Sequence, residues 1–252
     1  MRLNRFLASC GLGSRRSAEG LIAAGRVVVN GVRAETPAIS VDPATDRVTL
    51  DGRVVAPPPR HTYYLLHKPE GVVTTARDPG RRPTVMDLVP RTPRVFPVGR
   101  LDQETSGALL LTDDGDLAHH LLHPRYHIEK EYEVTAAGRV EEPALAVLRT
   151  GMRLEDEARP TAPAGVRVLS RGRDRTRLAM VLHEGRNRQI RRMLEAVGHP
   201  VIQLRRIRIG PIGLGGLAVG AWRDLGREEL AALRRLIQES RHDALRSRKR
   251  DP

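Results

Sequence analysis

Three consecutive prolines, Pro57-Pro58-Pro59, constrain this 252-residue chain more than any other feature. Each proline fixes φ at about −65° and lacks a backbone donor, and in series they favour an extended polyproline II path. Neither a helix nor a sheet interior can therefore run through Val54-Val55-Ala56-Pro57-Pro58-Pro59. The expected organisation is a small domain over residues 1–52, a stiff linker over 53–60, a larger domain over 61–240 and a tail over 241–252. In that tail Arg241, Arg246, Arg248, Lys249 and Arg250 face two acids with little apolar content, a composition that predicts disorder.

The first piece carries its own punctuation. Leu3, Phe6, Leu7 and Cys10 form a helical stripe, Gly11 and Gly13 break it, and Ser14 suits the N-cap of a second helix with Ala18, Leu21 and Ile22 inward. Gly25 fits a C-cap, and Val27-Val28-Val29 before Asn30-Gly31 reads as a strand entering a type I′ hairpin turn. In the second piece, strand patterns cover 63–67, 109–112, 131–134, 166–169 and 177–182, and helical patterns cover 115–122, 143–148, 187–197 and 228–237. Strands outnumber helices at irregular spacing, which predicts an α+β fold rather than a doubly wound parallel sheet.

Charge points to a polyanionic partner. Lys plus Arg number 43 against 30 Asp plus Glu, a formal net charge of +13, which favours nucleic acid over an anionic membrane surface. Only Lys68, Lys130 and Lys249 are lysines, so nearly all the positive charge is guanidinium; genomic base composition accounts for that bias as readily as phosphate recognition does. The single cysteine, Cys10, excludes an intramolecular disulfide and any multi-thiolate metal site. No apolar run reaches membrane-spanning length and no secretory pattern opens the chain, so a cytoplasmic protein without a membrane partner is expected. Neither phosphate-loop nor dinucleotide glycine pattern occurs, which removes support for nucleotide hydrolysis and dinucleotide redox chemistry. His119, His120 and His123 fall at helical spacings open to zinc, but no paired ligand accompanies them and Pro124 ends the helix, so no metal is expected.

The most informative stretch for chemistry is Gly99-Arg100-Leu101-Asp102-Gln103-Glu104-Thr105-Ser106-Gly107, set before an apolar run over 108–111. A carboxylate on a loop held by a buried strand suits catalysis, and equally suits an Asx-turn. Further on, Arg186, Arg188, Arg191, Arg192, Arg205, Arg206 and Arg208 meet one acid, Glu195, a density that fits an RNA groove better than a solvated face. In the helix over 187–197, Ile190, Met193, Leu194 and Val197 share one side, and Arg188, Arg191, Arg192 and Glu195 the other.

Five segments, in order, resemble the pseudouridine synthases of the branch typified by RsuA and RluB. The Gly99 to Gly107 string is similar to that family's G-R-L-D-x-x-[ST]-[ST]-G signature. His67-Lys68-Pro69-Glu70-Gly71 resembles its K-P-x-G motif, Lys130-Glu131-Tyr132 its K-x-Y motif, and Glu184-Gly185-Arg186-Asn187-Arg188-Gln189-Ile190-Arg191-Arg192-Met193 its third catalytic motif. Ser14-Arg15-Arg16 through Gly25-Arg26-Val27-Val28-Val29-Asn30-Gly31 resembles the S4 RNA-binding module that precedes the catalytic domain in this branch.

The resemblance implies an S4-like domain followed by a catalytic domain with a central, mostly antiparallel sheet flanked by helices. It implies isomerisation of a ribosomal RNA uridine to pseudouridine without a cofactor, closer to the large-subunit type, by a chain expected to act as a monomer. A non-catalytic ribosome-assembly factor and an enzyme acting on transfer RNA are the alternatives. Asp102 becomes the catalytic carboxylate, Arg191 the cation that keeps it ionised, Tyr132 the ring that stacks on the base or assists proton transfer, and Leu204 the apolar support of the uracil. Without the resemblance, Tyr132 reads as core and Leu204 as a plain strand leucine. Arg100 is expected to enter the space left by the extruded base. Lys68, Arg186, Asn187, Arg188, Gln189, Arg192 and Arg205 are expected to contact RNA, joined in the small domain by Arg15, Arg16, Arg26 and Asn30.

Overall fold

The computed structural model describes the backbone of residues 1–248 and the side chains of residues 1–240. The chain forms two compact units, one of Met1–Thr62 with Arg91–Val95 and Thr112–Gly115, the other of the remaining segments.

In the small unit, helices α1 (Leu3–Ser9) and α2 (Arg15–Ala23) pack on a four-stranded sheet of β1 (Val27–Val29), β2 (Val32–Arg33), β3 (Val48–Leu50) and β4 (Arg53–Val54), ordered β2-β1-β3-β4. The local signals explain these elements. Ser14 and Ser17 cap α2 reciprocally, each side chain accepting from the other's backbone N–H, and Gly25 takes φ +67° just past the helix. Asn30 and Gly31 both have positive φ, as a type I′ turn requires. Leu3, Phe6, Leu7, Ala18, Ile22 and Val27 make the core, with Cys10 against it. The start of the expected linker is different. Arg53 and Val54 extend the sheet by pairing with β3, and Val55 packs on the small core, because the proline constraint begins only after them.

The large unit contains β5 (Tyr63–Lys68), β6 (Phe96–Pro97), β7 (Ser106–Thr112), α3 (Gly115–Leu122), β8 (Lys130–Ala137), α4 (Glu142–Thr150), β9 (Gly165–Arg171), β10 (Arg175–Leu182), α5 (Gln189–Ala196), β11 (Val201–Ile209), β12 (Ile212–Gly213), β13 (Trp222–Asp224) and α6 (Arg227–Arg248). Its main sheet is ordered β13-β5-β7-β11-β8-β10-β9, with β6 beside β7 and β12 beside β11. The registered pairs are antiparallel except β7 with β11, which run parallel. Two apolar clusters flank it. Leu65, Leu110, Leu117, Leu121, Leu233 and Ile237 join β5, β7, α3 and α6, while Leu145, Leu148, Leu178, Met180, Met193 and Leu194 join α4, β10 and α5. Every residue of β7 is buried, which is why its sequence is a continuous apolar run rather than an alternation.

The disordered tail expected from 241 is corrected in part. Helix α6 continues through Arg248, and residues 249–252 lie outside the described residues. The basic, apolar-poor composition predicts disorder, but a helix anchored by Leu233 and Ile237 can propagate past its buried turn at little cost per residue. Among the described residues no helix is long and apolar enough to cross a membrane.

Glycine at position 107 is required. Its φ is +114°, and a Cβ there would lie 2.2 Å from the Arg206 carbonyl oxygen on the neighbouring parallel strand. Gly107→Ala is expected to cost about 1–3 kcal/mol for the backbone conformation alone, with the collision adding to it. Urea unfolding measures this, and an unchanged midpoint would mean that β7 and β11 separate freely.

Candidate active site

The large unit holds a cavity of about 440 Å³ whose walls come from four places: the loop between β6 and β7, the end of α3, the strands β8 and β11, and the turn leading into α5. Asp102, Tyr132 and Leu204 all line it, so the three side chains singled out from distant parts of the sequence are brought together. Ile128, Leu182, Ile190 and Ile209 supply apolar wall.

The loop carrying Asp102 is held by its backbone. Lys68, with no exposed surface, sends its ammonium among the carbonyls of Pro69 (2.9 Å), Asp102 (3.1 Å), Gln103 (3.4 Å) and Thr105 (2.9 Å). Thr74 donates its hydroxyl to the Leu101 carbonyl at 2.7 Å and accepts the Leu101 N–H at 3.2 Å. The N–H of Gly71 donates to the Gln103 carbonyl at 2.8 Å, and the Thr105 N–H closes a turn on the Asp102 carbonyl at 3.0 Å. These bonds consume main-chain groups and leave the Asp102 carboxylate to the cavity. Lys68 is thus an internal clamp and not an RNA contact, because β5 is buried on both faces and carries the side chain under the loop.

Arg191 reaches the same loop from α5. One NH2 group donates to the Glu104 carbonyl at 2.8 Å and to the Thr105 hydroxyl at 3.4 Å, while its Nε is buried without a partner. The direct pairing with Asp102 implied by the resemblance is not made. The guanidinium holds the two residues that follow the acid.

Other expected RNA contacts are also engaged within the chain. Arg186 donates to the carbonyls of Arg159 and Pro160 and to Glu184, so its whole fork ties two loops together. Gln189 is buried, accepting from the Arg186 N–H and donating to Glu184. Arg192 pairs with Glu157 and Asp156 and does not line the cavity. Arg205 lies on the opposite face of β11 and pairs with Glu133 at 2.7 Å, and Arg208 pairs there with Glu131 and Glu129. In the small unit Arg26 pairs with Asp51, and both polar groups of the Asn30 amide bond to Asp46 and to the Arg47 N–H. The side chains of Arg15 and Arg16 are exposed, as are Arg100 and Asn187 at the cavity rim. Arg188, at the left-handed φ of +48°, pairs with Glu104 at 2.9 Å, which holds that carboxyl below the usual range.

Two cationic lining residues, Lys130 and Arg206, were not among the expected site residues. A signal existed, because Lys130 precedes Tyr132 by two in β8 and Arg206 follows Leu204 by two in β11, so strand alternation places each on the same face as its partner. The rings of His119 and His123 meet edge to face beside the cavity rim, and His123 also packs against Tyr126.

Burial pushes Lys68 and Lys130 down to about 8 from 10.5, for Lys130 with help from the Arg206 charge. Between those values the unfolded chain binds more protons than the folded one, so both lysines make stability rise with pH across that window. Burial pushes the Cys10 thiol up to about 11 from 9.0, which opposes the rise above pH 9. Comparison with Lys130→Met isolates one lysine. The wild-type unfolding midpoint is expected to gain on that of the variant as pH is raised through this range, and parallel curves would contradict the burial of a strained ammonium.

The chain matches two family models: one described as RNA pseudouridylate synthase over residues 62–196, the other as S4 domain over residues 1–48. It is 43% identical to an uncharacterized RNA pseudouridine synthase of Aquifex aeolicus, over 92% of this chain and 93% of that one. It is 40% identical to ribosomal large subunit pseudouridine synthase B of Bacillus subtilis, over 96% of this chain and 98% of that one. A solved structure titled as a pseudouridylate synthase superposes with a TM-score of 0.68 at 30% identity, covering 92% of this chain and 99% of that chain. A cavity that joins a loop carboxylate to a tyrosine, in a chain related to these proteins over nearly its whole length, leads to one conclusion: the chain belongs to the RNA pseudouridylate synthase family and is a pseudouridine synthase with an N-terminal S4 domain.

Proposed function

We propose that the chain converts a uridine of large-subunit ribosomal RNA to pseudouridine with Asp102 as the essential carboxylate. The observation that carries this reading is the meeting of Asp102 and Tyr132 on the wall of one cavity, in a chain 40% identical to a ribosomal large subunit pseudouridine synthase B. The reaction breaks the bond from ribose C1′ to uracil N1, turns the base, and joins C1′ to C5. N1 then gains a proton and C5 loses one, so nothing is added or removed overall. A carboxylate serves such a centre as nucleophile or base, and the Lys68 and Thr74 bonds fix the loop that presents it. Tyr132 offers a flat face to the base and a hydroxyl for proton transfer. Leu204 supports the ring from β11, and Arg191 fixes the loop from α5. The nucleotide must leave its stack to enter, at a cost of a few kcal/mol. In this reading the exposed Arg100, Asn187 and Arg188 of the cavity, and separately the exposed Arg15 and Arg16 of the S4 domain, offset that cost through phosphate contacts.

Mapping pseudouridines in both ribosomal RNAs and in transfer RNA, with and without the gene, tests the assignment. Loss of one modified position in large-subunit RNA is the expected result. Loss confined to transfer RNA or small-subunit RNA would overturn it.

A further inference from the structure

The active-site cavity is lined by a guanidinium that is only partly satisfied within the chain. Arg206 is only 4% exposed, and its Nε donates to the Ala108 carbonyl at 2.8 Å. One NH2 group is fully buried without an acceptor. Leaving a charged donor buried and unpaired is costly, so such a group favours a bound molecule that supplies the acceptor. Lys130 lines the same cavity, and its ammonium donates to the Ile128 carbonyl at 3.2 Å, its one hydrogen bond among the described residues. Both cations line the cavity together with Tyr132, and the acids that line it are Asp102 and Glu184.

We propose that Arg206 and Lys130 read the carbonyl oxygens of the extruded uracil and hold its negative charge while it is detached from the ribose. This rests on the reading of the chain as a uridine isomerase and adds the recognition of the base to it.

Position decides which part of the nucleotide these groups meet. The exposed rim cations, Arg100 and Arg188, suit phosphates that keep part of their hydration. Arg206 is too deep for the RNA backbone, and the inserted base is the part that reaches the floor. Uracil presents two carbonyl acceptors, whereas cytosine replaces one of them with an amino donor. A guanidinium facing that edge accepts the first base and leaves donor against donor with the second, which discriminates strongly in a dry site. When the C1′–N1 bond breaks with its electrons going to the base, the uracil leaves as an anion whose charge spreads from N1 onto both carbonyl oxygens. Preformed cations at those oxygens stabilise this anion more than the bound uridine, and that difference accelerates cleavage. Burial, with a smaller contribution from repulsion by Arg206, lowers the Lys130 pKa to about 8, and that repulsion is relieved as the anion forms.

The test uses full-length protein and a transcript of large-subunit ribosomal RNA containing the mapped uridine, with a second transcript carrying cytidine there. Single-turnover pseudouridine formation and filter binding are measured for wild type, Arg206→Met, Arg206→Lys and Lys130→Met, after thermal melts confirm folding. Arg206→Met is expected to slow isomerisation roughly 10²-fold, the size of effect seen when one preorganised donor is removed. Affinity for the uridine transcript should stay within about threefold, and preference over the cytidine transcript should collapse. A structural role alone would not remove the preference. Arg206→Lys, which keeps the charge, should recover part of the rate. A folded Arg206→Met with wild-type rate and wild-type preference overturns the proposal. Where that variant does not fold, Lys130→Met decides, and a wild-type rate there overturns it. If wild type itself forms no pseudouridine in any RNA, the parent reading has failed instead, which separates the two.

Discussion

Asp102→Asn is expected to abolish pseudouridine formation, by roughly 10⁴-fold or more, the order lost when a reacting side chain is removed from an enzyme, while RNA affinity stays within about threefold. The substitution is nearly isosteric, and the loop does not depend on the carboxylate. Its conformation is set by the carbonyls of Asp102, Gln103 and Thr105, by Thr74 and by Arg191. The asparagine protein should therefore keep its melting temperature and still capture the target RNA. Single-turnover assays with binding measured in parallel check this. Residual isomerisation within tenfold of wild type would remove Asp102 from the mechanism. A matching loss of affinity would mean that the carboxylate organises the cleft instead of acting on the ribose.

Lys68→Met should damage both stability and activity. The methionine matches the length of the lysine side chain and is relieved of burying a charge, a real gain given that burial already drives the ammonium down to about 8. Against that gain stand four carbonyls, those of Pro69, Asp102, Gln103 and Thr105, which lose their shared donor in a site with no exposed surface. An unsatisfied buried acceptor costs about 1–3 kcal/mol, and the carbonyls cannot all turn away, because Thr105 opens onto the buried strand β7. The losses win. A net destabilisation of about 3 kcal/mol is expected in urea unfolding, with a large fall in turnover from a loop no longer holding Asp102 in place. RNA affinity should change little, since Lys68 reaches no surface. Full activity in Lys68→Met would show that Thr74 and Arg191 suffice to hold the loop.

Much of this protein was legible in one dimension. The cap at Ser14, the turn at Asn30-Gly31 and the apolar run at 108–111 are local signals, set by side-chain geometry within a few residues, and each element formed where its signal lay. Asp102, Tyr132 and Leu204 are picked out by resemblance to a family signature, and the three do share a cavity. What the chain order could not express was the use of the charged side chains. Seven arginines between 186 and 208 looked like one groove. The register of β11 against β8 shifts between Arg206 and Arg208, so Arg205 and Arg208, three residues apart, face Glu133 and Glu131 on the same back face of the sheet. Arg206 alone of the three points into the site. A bulge of this kind depends on the neighbouring strand, and so does the burial of Lys68 under carbonyls more than thirty residues away. Sequence determines which groups a chain possesses and the local turns it favours. Partners distant in sequence decide which charges are consumed holding the fold together and which remain for the substrate.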